Sequence, residues 1–204
     1  MKIGWLIVVI IAIIAASYFL FFYKKDEKPA APKPQPLAIS KNNNSFNTSF
    51  NDLLNSYYSL KNAFINWDTA NANVASNNMI DNASKINYDN LKADSSIILT
   101  AKNFSDNVIA EAKGLIGEPT IDGKRHSFYT LSENLYNLIR TVHYDQTVIY
   151  HDKCPMAFGD DEEAYWITNN RKIENPYLGN KHPKYHSAMV SCGSIEDSID
   201  FRQK

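Results

Sequence analysis

The chain has 204 residues, two cysteines, five histidines and a formal net charge of −1. That length accommodates one globular domain with a buried core plus appendages. The near-neutral balance excludes the basic footprint of a nucleic-acid binder and a polybasic membrane patch. No Gly-rich phosphate loop, Gly-x-Ser-x-Gly elbow or His-Glu-x-x-His motif occurs, so the common signatures of phosphoryl transfer, serine hydrolysis and zinc proteolysis are missing.

Residues 3–23 are almost wholly apolar, close to the ~20 residues that span a bilayer. A cleaved signal peptide ending near Ala15-Ala16-Ser17 is the alternative, but the run continues through Tyr18-Phe19-Leu20-Phe21-Phe22. That exceeds the ~7–15 residues of a signal-peptide apolar region. Residues 1–24 are therefore read as an inner-membrane anchor. Lys24, Lys25 and Lys28 after the run, against Lys2 before it, lean towards a cytoplasmic domain under the positive-inside tendency. Against this stands the analogy of bacterial extracytoplasmic modules tethered by Pro-rich stalks, and the domain is placed in the periplasm. The stretch 25–44, with Pro29, Pro32, Pro34, Pro36 and Asn42-Asn43-Asn44, reads as a semi-rigid linker. The folded domain is assigned to 45–204.

Four amphipathic segments follow. The first, 48–67, carries Phe50, Leu53, Leu54, Tyr57, Leu60 and Phe64 at helical spacing. In 69–91 the stripe is Ala72, Ala75, Met79, Ala83 and Ile86, with Met79 as core filler. Residues 94–115 align Ile97, Ala101, Phe104, Val108 and Ala112 before Gly117 and Pro119 stop the helix. The fourth, 123–143, aligns Phe128, Leu131, Leu135, Leu138 and Val142. Short connections between such helices predict a mainly α fold: an antiparallel four-helix bundle with a small, loop- and β-rich C-terminal cap. The cap begins with the β-type run Thr147-Val148-Ile149-Tyr150. It continues through turn-rich segments at Gly159-Asp160-Asp161, Asn169-Asn170 and Asn175-Pro176, and is expected to end in a short helix over 194–201.

The cap carries the chemistry. Both cysteines lie there, each with a methionine beside it: Cys154-Pro155-Met156 and Met189-Val190-Ser191-Cys192. His151, His182 and His186 lie in the same stretch. Thiolate and thioether select Cu(I), and thiolate and imidazole also suit Zn(II). The expected metal ligands are Cys154, Met156, Met189, Cys192 and His151, with His182, His186 and Trp166 as accessory candidates. Cu(I) is the first choice of ion and Zn(II) the second. Three other readings stay open, one of them that both cysteines are simply unligated packing residues. An even cysteine count outside the cytosol favours a Cys154–Cys192 disulfide. A Cys154–His151 nucleophile pair is the enzymatic version, but no oxyanion arrangement accompanies it, so the chain is read as a non-enzyme. His143 is read as a helix-end residue, His126 as solvated, and the acidic run from Asp160 to Glu163 as a solvated turn.

Several of these residues resemble the bacterial domain of unknown function 3347 family: Phe128-x-x-Leu131-Ser132, Cys154-Pro155-Met156-Ala157, the Trp166 region, Asn175-Pro176-Tyr177-x-Gly179 and Met189-x-x-Cys192-Gly193. The resemblance is taken to run over 45–199. It implies an extracytoplasmic domain tied to copper or other heavy-metal handling, found as short anchored proteins and as tails of efflux membrane-fusion adaptors. It implies a metal ion and an efflux adaptor or metal-delivery protein as partners, and no established reaction. Two departures stand out: Asp161-Glu162-Glu163-Ala164-Tyr165 before Trp166, and the His182- and His186-bearing insert Asn180-Lys181-His182-Pro183-Lys184-Tyr185-His186-Ser187. The function expected is soft-metal sequestration, transfer or efflux; the alternative is a disulfide-stapled interaction module of an efflux system that binds no metal.

Overall fold

The computed structural model describes residues 42–202, all within one compact unit. The anchor and most of the linker lie outside the described residues. Among the described residues, no helix is long and apolar enough to cross a membrane.

The chain is mostly helical. Helix α1 is Asn44–Ile65, and it starts earlier than its apolar stripe because Asn43 caps it, accepting the Phe46 N–H at 2.8 Å. Trp67, with φ 58°, takes the left-handed turn that ends the run. Asp68 then caps α2, Thr69–Ser84, through the Asn71 N–H. The expected continuation of α2 to residue 91 does not occur. Asn87 draws the Asp89 N–H onto its own side chain, and a single 3-10 turn, Tyr88–Asn90, replaces the helix. Helix α3 is Ser95–Gly117. Helix α4, Ile121–Val142, is capped by Thr120 and ends at His143 in a left-handed conformation.

Most of the predicted apolar positions are buried: Phe50, Leu53, Tyr57, Leu60, Ala72, Met79, Ala101, Val108, Phe128, Leu131, Leu135 and Leu138 are wholly inside, whereas Ile97 and Phe104 of the third stripe are only half-buried. Helix α1 packs on α2, α2 on α3, and α3 on α4. Helix α1 also meets α4 through Phe128, whose ring lies 5.4 Å from that of Tyr57 and 5.0 Å from that of Phe64.

After α4 the chain forms a three-stranded antiparallel sheet in the order β2-β1-β3. Strand β1 is Ile149–Gly159, far longer than the four-residue run foreseen, and it contains Cys154 and Met156. Asp160 and Asp161 form the tight turn into β2, Glu162–Thr168. The segment expected as a terminal helix is instead β3, Ser194–Ile199. The four-residue step from Ile195 to Ile199 fits a helix equally well. Pairing decides it: β1 has a second edge whose backbone groups need partners, and β3 fills it, placing buried Ile199 opposite Ile149.

A hydrogen-bonded relay ties the sheet to the helices. The Ile167 N–H of β2 donates to the Tyr57 hydroxyl at 3.0 Å. Tyr57 contacts Ser132 at 2.8 Å, and Ser132 donates to the Phe128 carbonyl at 2.8 Å. Because Ser132 spends its proton there, Tyr57 is the donor to Ser132. Burial pushes the Tyr57 phenol far up, so the proton stays available.

Candidate functional site

The alternation of β1 divides the predicted ligands between two faces. His151 pairs with Ile167 and Cys154 with Ala164 in the β1–β2 register. Three residues apart, their side chains point to opposite sides. On the side facing α4, the His151 ring is sandwiched between Tyr136, 4.0 Å away, and Tyr165, 4.8 Å away, both nearly parallel to it. Its Nε2 lies 2.8 Å from Glu133 Oε1, and Tyr136 donates to Asp197 of β3 at 2.5 Å. The structure thus separates His151 from the cysteines and uses it to bind β1 to α4.

On the other face, Cys154 is fully buried and Cys192 half-buried, and both thiols are free. The Cys192 loop is drawn against β1 beside Cys154, near enough for the two thiols to act on each other. Burial pushes the Cys154 thiol up. Hydrogen bonds from the Met156 N–H and the Asn175 side chain pull it back down, and the neighbouring Cys192 raises it further. Two chain segments far apart in sequence therefore converge on one pair of sulfurs.

Asn175 assembles this convergence. It is fully buried. Its Oδ1 accepts the N–H groups of Tyr177, at 2.8 Å, and Leu178, at 3.0 Å, which fixes an Asx turn around Pro176. Its Nδ2 donates to the Cys192 carbonyl at 2.8 Å, and its own N–H donates to the Val190 carbonyl at 2.8 Å. Gly193 completes the approach. At φ 140° its Cα passes so close to β1 that a Cβ would sit 2.6 Å from the Lys153 carbonyl oxygen and 2.9 Å from the Trp166 ring. Trp166 is fully buried, edge-on to Tyr177 at 6.0 Å, and it backs the cysteine pair as a packing anchor.

The remaining candidates have the following surroundings. Met189 is partly buried against the core, and its carbonyl accepts the Cys192 N–H at 3.0 Å. Met156 lines a groove of about 440 Å³ with Arg125, His126, Phe158, Tyr177, His182 and Tyr185 among its walls, and neither cysteine lines it. His182 is committed to its own loop. Its Nδ1 accepts the N–H groups of Lys184, at 3.2 Å, and Tyr185, at 3.3 Å, so in the neutral ring the proton sits on Nε2. Binding a metal through Nε2 would transfer that proton to Nδ1 and break both bonds. His186 holds a left-handed backbone and bridges back to His182. His126, expected in solvent, is exposed and also lies flat on Phe158 at 3.8 Å. Among the described residues, no three His, Cys, Asp or Glu side chains stand together as a metal-ligating group.

Two features escaped sequence reasoning. Arg125, a charged position outside the predicted apolar stripe of α4, is buried. It lies 4.0 Å over the Trp67 ring and donates to the carbonyls of Pro176, at 3.1 Å, and Phe64, at 3.3 Å, clamping the cap loop onto α1. Asp152, opposite Trp166 on the cysteine face, is fully buried with neither oxygen hydrogen-bonded to the described residues. Burial pushes its carboxyl up to about 7 against the pull of Lys61 and His151. Lys61, itself buried on α1, reaches Thr168 at 3.5 Å. A charged residue on an otherwise apolar helix stripe was the only signal of Lys61.

Residues 53–147 match the family described as protein of unknown function (DUF3347). The match covers most of the four helices and ends before β1, so it does not reach the cysteine-bearing cap, where the resemblance had been drawn most specifically. No curated protein matches. No solved structure matches.

Proposed function

From the premise that the chain belongs to the DUF3347 family, we propose that its cap is a soft-metal site for Cu(I), through which the protein sequesters the ion or hands it to an efflux or metal-delivery partner. The observation that carries the reading is the meeting of two free thiols from opposite ends of the cap, one of them fully buried. Binding exchanges both thiol protons for one ion: Cu⁺ and two Cys–SH give a bis-thiolate copper unit of charge −1 and two H⁺. The N–H groups on Cys154 suit the resulting sulfur charge. The dry surroundings that penalise a bare thiolate favour one neutralised by a soft cation.

In this reading the four helices form an antiparallel bundle that carries the cap. Residues 1–24 anchor it in the inner membrane with the domain in the periplasm, and Met156 serves transfer from the neighbouring groove. Cys154 and Cys192 hold the cargo ion, no residue is catalytic, and Zn(II) is the competing ion. The test is an anaerobic titration of the fully reduced full chain with Cu(I) against a competing chelator. About one ion per chain is expected, with binding lost in Cys154→Ser. Wild-type affinity in that variant refutes the assignment.

The same thiol contact favours a second reading, a disulfide-stapled interaction module. Closing the loop between the cysteines would stabilise it by about 4 kcal/mol in the chain-entropy model. Thiol counting on anaerobically purified protein separates the two: two free thiols support the metal site, none supports the staple.

A further inference from the structure

The donor set around the cysteines defines more than softness; it defines how many bonds an ion can make. All five histidines and both cysteines of the chain fall within the described residues. His126 is stacked on Phe158 and His143 on Phe201. His151 is held by Glu133 on the opposite face of the sheet, and His182 and His186 are bound into their own loop. Met156 faces a groove whose walls contain neither cysteine. The buried carboxylate nearest in sequence, Asp152, does not join the two cysteines as a third ligand, since among the described residues no three His, Cys, Asp or Glu side chains stand together.

Resting on the metal-binding reading above, we propose that Cys154 and Cys192 form a two-coordinate site that takes soft monovalent ions, Cu(I) and Ag(I), and turns away Zn(II). A closed-shell monovalent ion of this kind is satisfied by two thiolates in a near-linear arrangement. Zinc in a structural site takes four ligands in a tetrahedron. Here it would have to draw two more from water or from side chains that do not stand with the pair, next to the buried Trp166 ring and the Gly193 backbone. Asn175 fixes the pair for this geometry. It pins the Cys192 carbonyl at 2.8 Å, and Gly193 lies against the Lys153 carbonyl, so the two cysteine-bearing segments are held side by side before any ion arrives. Pre-organisation of this kind lowers the ordering cost of binding and disfavours the spreading that a four-ligand shell requires.

The experiment uses the full chain in detergent, reduced and kept anaerobic. Cu(I), Ag(I) and Zn(II) are titrated separately, and the copper-loaded sample is examined by X-ray absorption to count its sulfur neighbours. Two sulfur scatterers, one Cu(I) or Ag(I) per chain and a Zn(II) affinity at least about a thousandfold weaker uphold the proposal. A third sulfur or a nitrogen in the copper shell, or Zn(II) binding within about tenfold of Ag(I), overturns it and leaves the metal-binding reading standing. If reduced protein with both thiols titratable binds neither Cu(I) nor Ag(I), both fall together. Cys192→Ser gives an independent check: the two-coordinate site loses Cu(I) in that variant, and retained affinity overturns the proposal.

Discussion

Asn175→Ala is the substitution that most directly tests how the cap is held. The side chain is fully buried. Its removal strands the N–H groups of Tyr177 and Leu178 and the Cys192 carbonyl, now bonded at 2.8, 3.0 and 2.8 Å. A buried polar group left without its partner costs roughly 1–3 kcal/mol. Tyr177 and Leu178 lie inside, whereas the Cys192 contact is only part-buried, so the three together cost about 3–6 kcal/mol. Water entering the space vacated by the amide offsets part of this, and the expected loss is about 3–4 kcal/mol. Against a total stability of about 5–15 kcal/mol for a domain of this kind, that moves the urea midpoint far down. Unfolding would be followed in reducing buffer by circular dichroism and by tryptophan fluorescence, since Trp166 lies against Gly193, next to Cys192. The exposed Asn77→Ala, on the surface of α2, serves as control and should shift stability by no more than about 0.5 kcal/mol. A loss below about 1 kcal/mol for Asn175→Ala would refute the idea that this one side chain assembles the cap.

Three further outcomes are expected. Tyr57→Phe removes the acceptor of the Ile167 N–H and the donor to Ser132; a loss of about 1–3 kcal/mol in chemical denaturation is expected, with amide exchange of Ile167 accelerated, and unaltered exchange there would contradict the relay. Gly193→Ala forces a Cβ to 2.6 Å from the Lys153 carbonyl at a φ of 140°; it should cost about 1–3 kcal/mol and, if the metal reading holds, weaken Cu(I) binding as the Cys192 loop backs away. Asp152 gives a pH signature. Its carboxyl is pushed up to about 7 in the fold by burial, whereas the unfolded chain titrates near the ordinary ~3.9. The native state therefore holds that proton more firmly, so the contribution is complete below about pH 4 and is lost as pH rises through about 7. The total is at most about 4 kcal/mol, and Asp152→Asn should flatten the fall in stability between about pH 5 and 7; an equally steep profile in the variant would exclude Asp152 as its source.

The sequence by itself determined the helices and the core. Apolar residues recurring every three or four positions have one way to be buried together, so the stripes through Phe50, Met79, Val108 and Leu135 were legible without coordinates. The same local signals placed a turn at Asp160-Asp161. What only the tertiary structure decided were the non-local pairings. The segment Ser194–Ile199 carries a spacing compatible with helix or strand, and the open edge of β1 made it a strand. His151 and Cys154 are neighbours in sequence, but the two-residue period of a strand sends them to opposite faces. His182 sits beside ligand-like residues, yet its own backbone claims its Nδ1. Cys154 and Cys192 meet because Asn175 and Gly193 draw one loop against β1. Sequence spacing specifies which residue types are at hand; which donor atoms face one another depends on strand alternation, sheet order and hydrogen bonds between segments far apart in the chain.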